Sequence, residues 1–399
     1  PGASNALNRR IAEEGAGLML RPLLSRHLVF CSVDIMKTKR FKTSLTAVLL
    51  ALGLSSAAPI LSAEGGVAEA PQTAEPREYA LERHTLHMGT LINAKLFGAT
   101  PEAVKHYAIV FEDKVTDYDD LMSVHKDTPL NEVNRRAGEP VEVPCEIADM
   151  TKQALAIADE TNGAFEPMIG PVVNLWKIGF GGEHVPSDEA IAEAVSKVDR
   201  SKVRVWREGG RCMMQIAKGQ SIDMGAVAKG FIGQRLSDIL KHEGMTRGVL
   251  DLGGNIVAVG EKSDGRPWRI GVQHPAESRG GYFAVASVKD ESVITSGAYE
   301  RYFEENGKRY SHILDPKTGR PAKTDISSVT IIDRDGARAD ALCTALFAMG
   351  WVRAEAFLRT HSELKALVMH ADMKQAVMTP AAASSVTSAD PSVKLTVLK

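Results

Sequence analysis

The stretch ADALCTALF, residues 339–347, sets one carboxylate and one hydroxyl in an otherwise apolar run. Asp340 and Thr344 stand four apart, so on a helix they share one face about one turn from each other. Ala, Leu, Cys and Phe fill the other positions. A buried, unpaired carboxylate is costly, so Asp340 requires a cation, a hydrogen-bond donor or water beside it.

Outward from that stretch, helices and strands mix without a regular βαβ alternation. Thr100-Pro101-Glu102 is a cap followed by proline at the first helical position, and it opens a helix over 101–122. IADMTKQALAIADETNG predicts a second helix, ended by Asn162-Gly163. Ser187 caps a third with two acids in its first turn. KGFIGQRLSDILKHEG predicts a fourth, closed by Gly244, and two more run over roughly 338–350 and 352–361. HTLHMGTLINAKLFG, RGVLDLGGNIVAVG and WRIGVQHP carry the alternation and β-formers of strands. FAVASVKDESVITSG reads as a hairpin, SSVTIIDRD as a buried strand and KALVMHADMKQAVMTP as a strand pair. The pattern fits an α+β or complex α/β fold better than a doubly wound sheet.

The chain has 399 residues, 44% hydrophobic and 25% charged, with formal net charge −2. Without a clustered basic stripe it is not expected to bind nucleic acid. Cysteines 31, 145, 212 and 343 form no CxxC pair. They suggest neither a zinc site nor a dense disulfide frame, and a single long-range disulfide stays open without being expected. Residues 36–63 have the basic start, apolar run and small residues of a secretory signal peptide. Residues 1–35 then read as an upstream or non-native extension. Residues 64–78 read as a linker, 79–379 as the folded domain and 380–399 as a loose tail rich in Ser, Ala and Thr.

Four stretches suggest chemistry. SIDMGAVAKGF, 221–231, reads as strand, turn and helix, with Lys229 at the helix start where a phosphate is welcome. On the pattern alone a plain strand–helix junction with a solvated Lys is the simpler account. VLDLGGNIVAVG, 249–260, puts Gly253-Gly254 at a strand end, where a ligand or only another backbone approaches. SHILDPKTGRP, 311–321, sets His312 before an Asp315–Gly319 turn; a neutral His accepts a proton from a hydroxyl, or merely bonds a turn carbonyl. TNGAFEPMIGPVVNLWKIGFG, 161–181, leads from a helix end into a Gly- and Pro-rich loop with Trp176 and Phe180, which line a ligand or the core.

In this order the blocks MGT (88–90), GAFEPMIGPVVNLWKIG (163–179), IDMGAVAKGF (222–231), LGGN (252–255), ITSGAYERYF (294–303), SHILDPKTGRP (311–321) and ADALCTALFAMG (339–350) resemble the ApbE family. These are the FAD:protein FMN transferases. The resemblance runs from about Met88 to about Trp351. It implies the ApbE flavin transferase fold with a T-fold-like core.

The resemblance also implies a reaction. FMN passes from FAD to a Thr or Ser hydroxyl of an extracytoplasmic flavoprotein, and AMP leaves. Such an acceptor carries a flavinylation Thr and can be a subunit of a membrane redox complex. A periplasmic or otherwise extracytoplasmic location, in some members at the inner membrane, goes with it. Mg²⁺ is implied at Asp340, Thr344 and the backbone carbonyl of Ala226. Carboxylate, hydroxyl and carbonyl oxygens suit a hard cation. A further acidic position of the family is Cys343 here. Met88, Ala164, Phe165, Glu166, Asp223, Lys229 and Leu314 match FAD contacts. His312 is the candidate base and Asp340 the second catalytic residue. Where many members carry a tyrosine this chain has Val124, with His125 next. Two other activities stay open: a metal-dependent FAD pyrophosphatase releasing FMN and AMP, and a flavin-binding protein without catalysis.

Overall fold

The computed structural model describes residues 78–123, 126–278, 280–299 and 301–399. The 1–35 extension, the 36–63 leader, nearly all of the linker, and Val124 with His125 lie outside the described residues.

A nine-stranded sheet organises the domain. Its order is Tyr79–His87, Thr90–Gly98, Arg247–Leu252, Ile256–Val259, Ser292–Gly297, Ile326–Asp333, Lys365–His370, Gln375–Met378 and Lys394–Val397. Neighbours are antiparallel except for the last pair, which is parallel. The sheet is open, with Tyr79–His87 at one edge and Lys394–Val397 at the other.

Both faces are buried, and alternate residues serve each one. Leu250, Leu252, Val257, Ile294, Val329 and Ile331 join the large core beneath the helices. Ile256, Ala258, Val293, Ile332 and Leu367 join a second cluster built on Trp268 and Phe283. That cluster belongs to a three-stranded sheet of Val386–Ser388, Tyr282–Val288 and Trp268–Gln273. The fold is thus mixed α/β, with helices on one face of an antiparallel sheet.

Helix starts fall where the caps predict them. Thr100 Oγ1 accepts the Ala103 N–H at the head of Pro101–Met122. Ser187 Oγ does the same for Ala190 ahead of Asp188–Val195. The Gly336–Met349 helix, apolar almost all round, is buried almost all round. It lies on the sheet and packs against the helices Cys145–Glu160, Ala228–His242 and Trp351–Thr360. Among the described residues no helix is long and apolar enough to cross a membrane.

Five expectations are corrected. FAVASVKDESVITSG is not a hairpin: Tyr282–Val288 and Ser292–Gly297 lie in different sheets. Residues 380–399 are not loose. They form a short helix, Pro380–Ala383, a strand against Tyr282–Val288 and a strand against Gln375–Met378. Val386, Val393 and Leu398 anchor them in the two cores. No strand precedes the turn at Gly225, because residues 221–224 run as irregular chain. The 161–181 loop contains two short helical pieces, Pro167–Ile169 and Gly170–Trp176. Finally, Cys145 and Cys212 form a disulfide across a sequence separation of 67, tying the Cys145–Glu160 helix to the Val141–Val143/Arg211–Gln215/Arg204–Glu208 sheet.

Candidate active site

The sequence question at Asp340 has a structural answer. Asp340 is 4% exposed, and its Oδ2 accepts the backbone N–H of Gly230 at 2.9 Å. That N–H sits in the first turn of the Ala228–His242 helix. In ordinary helical geometry it would return to the carbonyl of Ala226, four residues back. The carboxylate takes it instead, and the Ala226 carbonyl is left without a hydrogen-bond donor among the described residues. Asp340 Oδ1 and the Thr344 hydroxyl are likewise without protein hydrogen bonds. Thr344 is the one half-buried residue between Ala339 and Ala348, so the buried run is interrupted there.

Two glycines make this approach feasible. A Cβ on Gly230 would stand 2.0 Å from the Gly336 carbonyl oxygen, and a Cβ on Gly336 would stand 2.3 Å from that of Gly230. The helices meet backbone to backbone at this crossing, and only glycine fits on either side. Gln234 Oε1 accepts the Gly336 N–H, and Asp335 caps the second helix through the Arg338 N–H.

These three groups, on Asp340, Thr344 and Ala226, are one carboxylate, one hydroxyl and one carbonyl, all oxygen. Among the described residues no group of three His, Cys, Asp or Glu side chains forms a metal site. Oxygen sets of this kind suit a hard divalent cation that fills its remaining positions from water and phosphate. Cys343 stands clear of that role. It is fully buried, its thiol donates to the Ile294 carbonyl, and burial followed by the Asp340 charge pushes the thiol well above its usual range.

Lys229 is the residue before Gly230, and its charge is felt at His312. The His312 Nδ1 and its backbone N–H both face the Arg301 carbonyl, each at 3.1 Å. A carbonyl only accepts, so Nδ1 carries the proton and Nε2 keeps its lone pair. Burial above all, helped by the Arg301 and Lys229 charges, lowers the imidazole to about 4. His312 is therefore a neutral base with a fixed tautomer.

The remaining predicted residues divide. The Asp223 N–H donates to the Pro167 carbonyl at 2.8 Å, joining 221–230 to the Ala164–Glu166 segment. Burial raises its carboxyl above the usual aspartate range. Ala164 lines a cleft with Asn162, Gly163, Asp315, Lys317 and Met349. Phe165 and Leu314 are spent in hydrophobic clusters. Glu166 Oε1 accepts the Met168 N–H and Oε2 accepts from Arg200, so both carboxylate oxygens serve the fold. Trp176 is core: it is 1% exposed, and its indole N–H holds the 311–321 turn through the Gly319 carbonyl at 2.7 Å.

Met88 begins the turn between the first two strands with φ 51°, and Asp119 Oδ1 accepts its N–H at 3.0 Å. Burial would raise Asp119, but donors from Lys126, His87 and Met88 outweigh it and hold the carboxyl low. This turn lies beside LGGN, where a Cβ on Gly253 would meet Thr90 Oγ1 at 2.2 Å.

Sequence reasoning missed Gly230 and Gly336 as a contact pair. It also missed Asn134, whose carboxamide brackets Ile222 from both sides. Arg301, the partner of His312, was another omission. The repeated small residue at helix starts was the only available signal for the glycines.

A family model described as "ApbE family" matches residues 88–368. The chain belongs to the ApbE family. It is 36% identical over 324 residues to a Treponema pallidum protein named FAD:protein FMN transferase, covering 77% of this chain and 89% of that protein. A Salmonella typhimurium protein of the same name is 31% identical over 303 residues, covering 74% and 85%. Among solved ApbE structures, the apo form of the Pseudomonas stutzeri flavinyl transferase ApbE matches with TM-score 0.65 and 28% identity, covering 73% of this chain and 92% of that one. The flavin transferase ApbE from Vibrio cholerae matches with TM-score 0.65 and 27% identity over 77% of this chain and all of its own. The mixed α/β fold expected from the ApbE resemblance is the one observed.

Proposed function

We propose that this ApbE chain is an FAD:protein FMN transferase that moves FMN from FAD to a Thr or Ser hydroxyl of an extracytoplasmic flavoprotein and releases AMP. The observation that carries the reading is three oxygens without hydrogen-bond partners among the described residues: the Ala226 carbonyl, Asp340 Oδ1 beside the helix start that carries Lys229, and the Thr344 hydroxyl one turn on from Asp340. A bound Mg²⁺ would neutralise charge on the FAD diphosphate. Lys229 and the helix N-terminus add positive potential for the same phosphates. His312 Nε2 takes the proton of the acceptor hydroxyl as its oxygen bonds to the FMN phosphorus. The phosphorus–oxygen bond to AMP breaks, and AMP leaves with the electron pair.

Export rests on two observations. Residues 36–63 have the composition of a secretory leader, and a disulfide such as Cys145–Cys212 is of the kind that persists in oxidising compartments. An acceptor exposing a Thr there, such as a subunit of a membrane redox complex, is the matching partner.

The test is incubation of the chain with FAD, Mg²⁺ and an FMN-acceptor domain, followed by a denaturing gel. A fluorescent acceptor band that depends on Mg²⁺ and on Asp340 is the expected result. AMP and FMN without a labelled acceptor would replace the transferase by a pyrophosphatase, and intact FAD throughout would leave a flavin-binding protein.

A further inference from the structure

Two side-chain nitrogens among the described residues are enclosed without a hydrogen-bond partner, Arg247 Nε and Asn255 Nδ2. Arg247 has other company: its guanidinium pairs with Glu78 and lies 5.9 Å from the Phe97 ring centre. Asn255 has none. It is 3% exposed, and its carboxamide makes no hydrogen bond to the described protein. An amide taken out of water and left unpaired is costly, and folded proteins retain few of them.

Its position says what would pair with it. Asn255 follows the Gly253-Gly254 turn, where strand Arg247–Leu252 passes into Ile256–Val259. Ile256 packs on the Trp268 side of the sheet and Val257 on the helix side. Strand alternation therefore places Asn255 on the helix side. The Ala228–His242 helix lies over this end: its Gly233 faces Leu252 and Val257. The chain leaves that helix at His242 and returns along Arg247–Leu252, so the helix start with Lys229 sits above the 252–255 end. The Met88 turn meets the same end through Thr90 and Gly253. Next to Asn255 there is room, since a Cβ on Gly254 would meet nothing within 4 Å.

We propose that Asn255 Nδ2 donates a hydrogen bond to an oxygen of bound FAD, completing a buried donor that the free protein leaves unmatched. The proposal rests on the flavin transferase reading above. Asn255 is then a substrate-binding residue retained at the expense of the free protein's stability.

That pairing of cost and use gives a sharp test. Asn255→Leu keeps the branching and the number of side-chain heavy atoms and has no polar atom. The full-length wild-type and variant chains are compared for melting temperature without ligand, and for FAD affinity by equilibrium dialysis in EDTA, where no turnover occurs. The expected result is a melting temperature equal to or above that of wild type, with FAD bound about tenfold more weakly or worse. Unchanged FAD affinity would overturn the inference, as would a melting temperature that falls together with affinity. Should Asn255→Leu fail to fold, side-chain amide NMR of the ¹⁵N-labelled wild type decides. The Asn255 signal, assigned by its loss in Asn255→Asp, must move on FAD addition, and a stationary signal overturns the proposal. A wild type that binds no FAD at all would remove the transferase reading and this inference with it, whereas a wild type that binds FAD and a variant that binds equally removes the inference alone.

Discussion

The Gly230 amide donates to Asp340 Oδ2 at 2.9 Å, across 110 residues of sequence, instead of to the carbonyl one helical turn behind it. One hydrogen bond thus does two things: it seats the carboxylate and frees the Ala226 carbonyl. Asp340→Asn keeps an acceptor for Gly230 but removes the negative charge. The variant should fold with near wild-type melting temperature and lose about 10²-fold or more in Mg²⁺-dependent AMP release, as expected when a direct ligand outweighs the 10–100-fold typical of supporting groups. A Mg²⁺ titration of FAD turnover, run beside thermal melts, reads both.

The same crossing sets a stability prediction. Gly230→Ala places a methyl 2.0 Å from the Gly336 carbonyl oxygen, backbone that has nowhere to go. We expect a loss of about 1–3 kcal/mol from overpacking, measured by urea unfolding. Gly336→Ala strains the same contact from the other side. The double variant should therefore fall short of the sum of the two losses, because both relieve themselves by the same helix separation.

His312 gives a pH prediction whose sign follows from its lowered value. The free enzyme holds this imidazole neutral down to about 4, so kcat/KM for transfer should stay level from neutral pH toward 5 and fall near 4. An unperturbed histidine would place the limb near 6.5. The unfolded chain binds this proton more readily than the folded one. The contribution of His312 to stability is accordingly full above about 6.5 and is lost as pH falls toward 4. His312→Ala should slow transfer while FAD binding in EDTA persists; loss of binding would give the residue a structural role instead.

The local signals were legible and the pairings were not. Thr100-Pro101, Ser187 and Asn162-Gly163 mark helix ends through chemistry confined to one turn, and each stands where the sequence puts it. Val288 and Val293 stand on either side of a short polar turn that looks like a hairpin, yet they belong to strands of different sheets. Both strands are buried on two faces, so their apolar patterns do not say which neighbour each one bonds. Asp340 and Thr344 were readable because helical spacing joins them. Gly230 was not, since its partner is set by the crossing of two helices. Asn255 was hidden behind its glycines, because an unmatched donor exists only once the surrounding atoms are placed.

The disulfide offers the last prediction. Cys145 begins a helix and Cys212 lies in a strand, and the loop they close has a sequence separation of 67. Cross-linking a loop of that length removes entropy chiefly from the unfolded chain, worth about 2–5 kcal/mol. The double variant Cys145→Ser, Cys212→Ser should unfold at correspondingly lower urea, and dithiothreitol should bring the wild type to the same midpoint while leaving the variant unchanged. Neither cysteine touches Asp340, Thr344 or His312 in the hydrogen-bond network, so turnover per folded molecule should be unaffected at temperatures well below unfolding. A drop in turnover at full folding would mean that the sheet carrying Cys212 positions the site, through the Asp223–Pro167 link, more strongly than its distance in the network suggests.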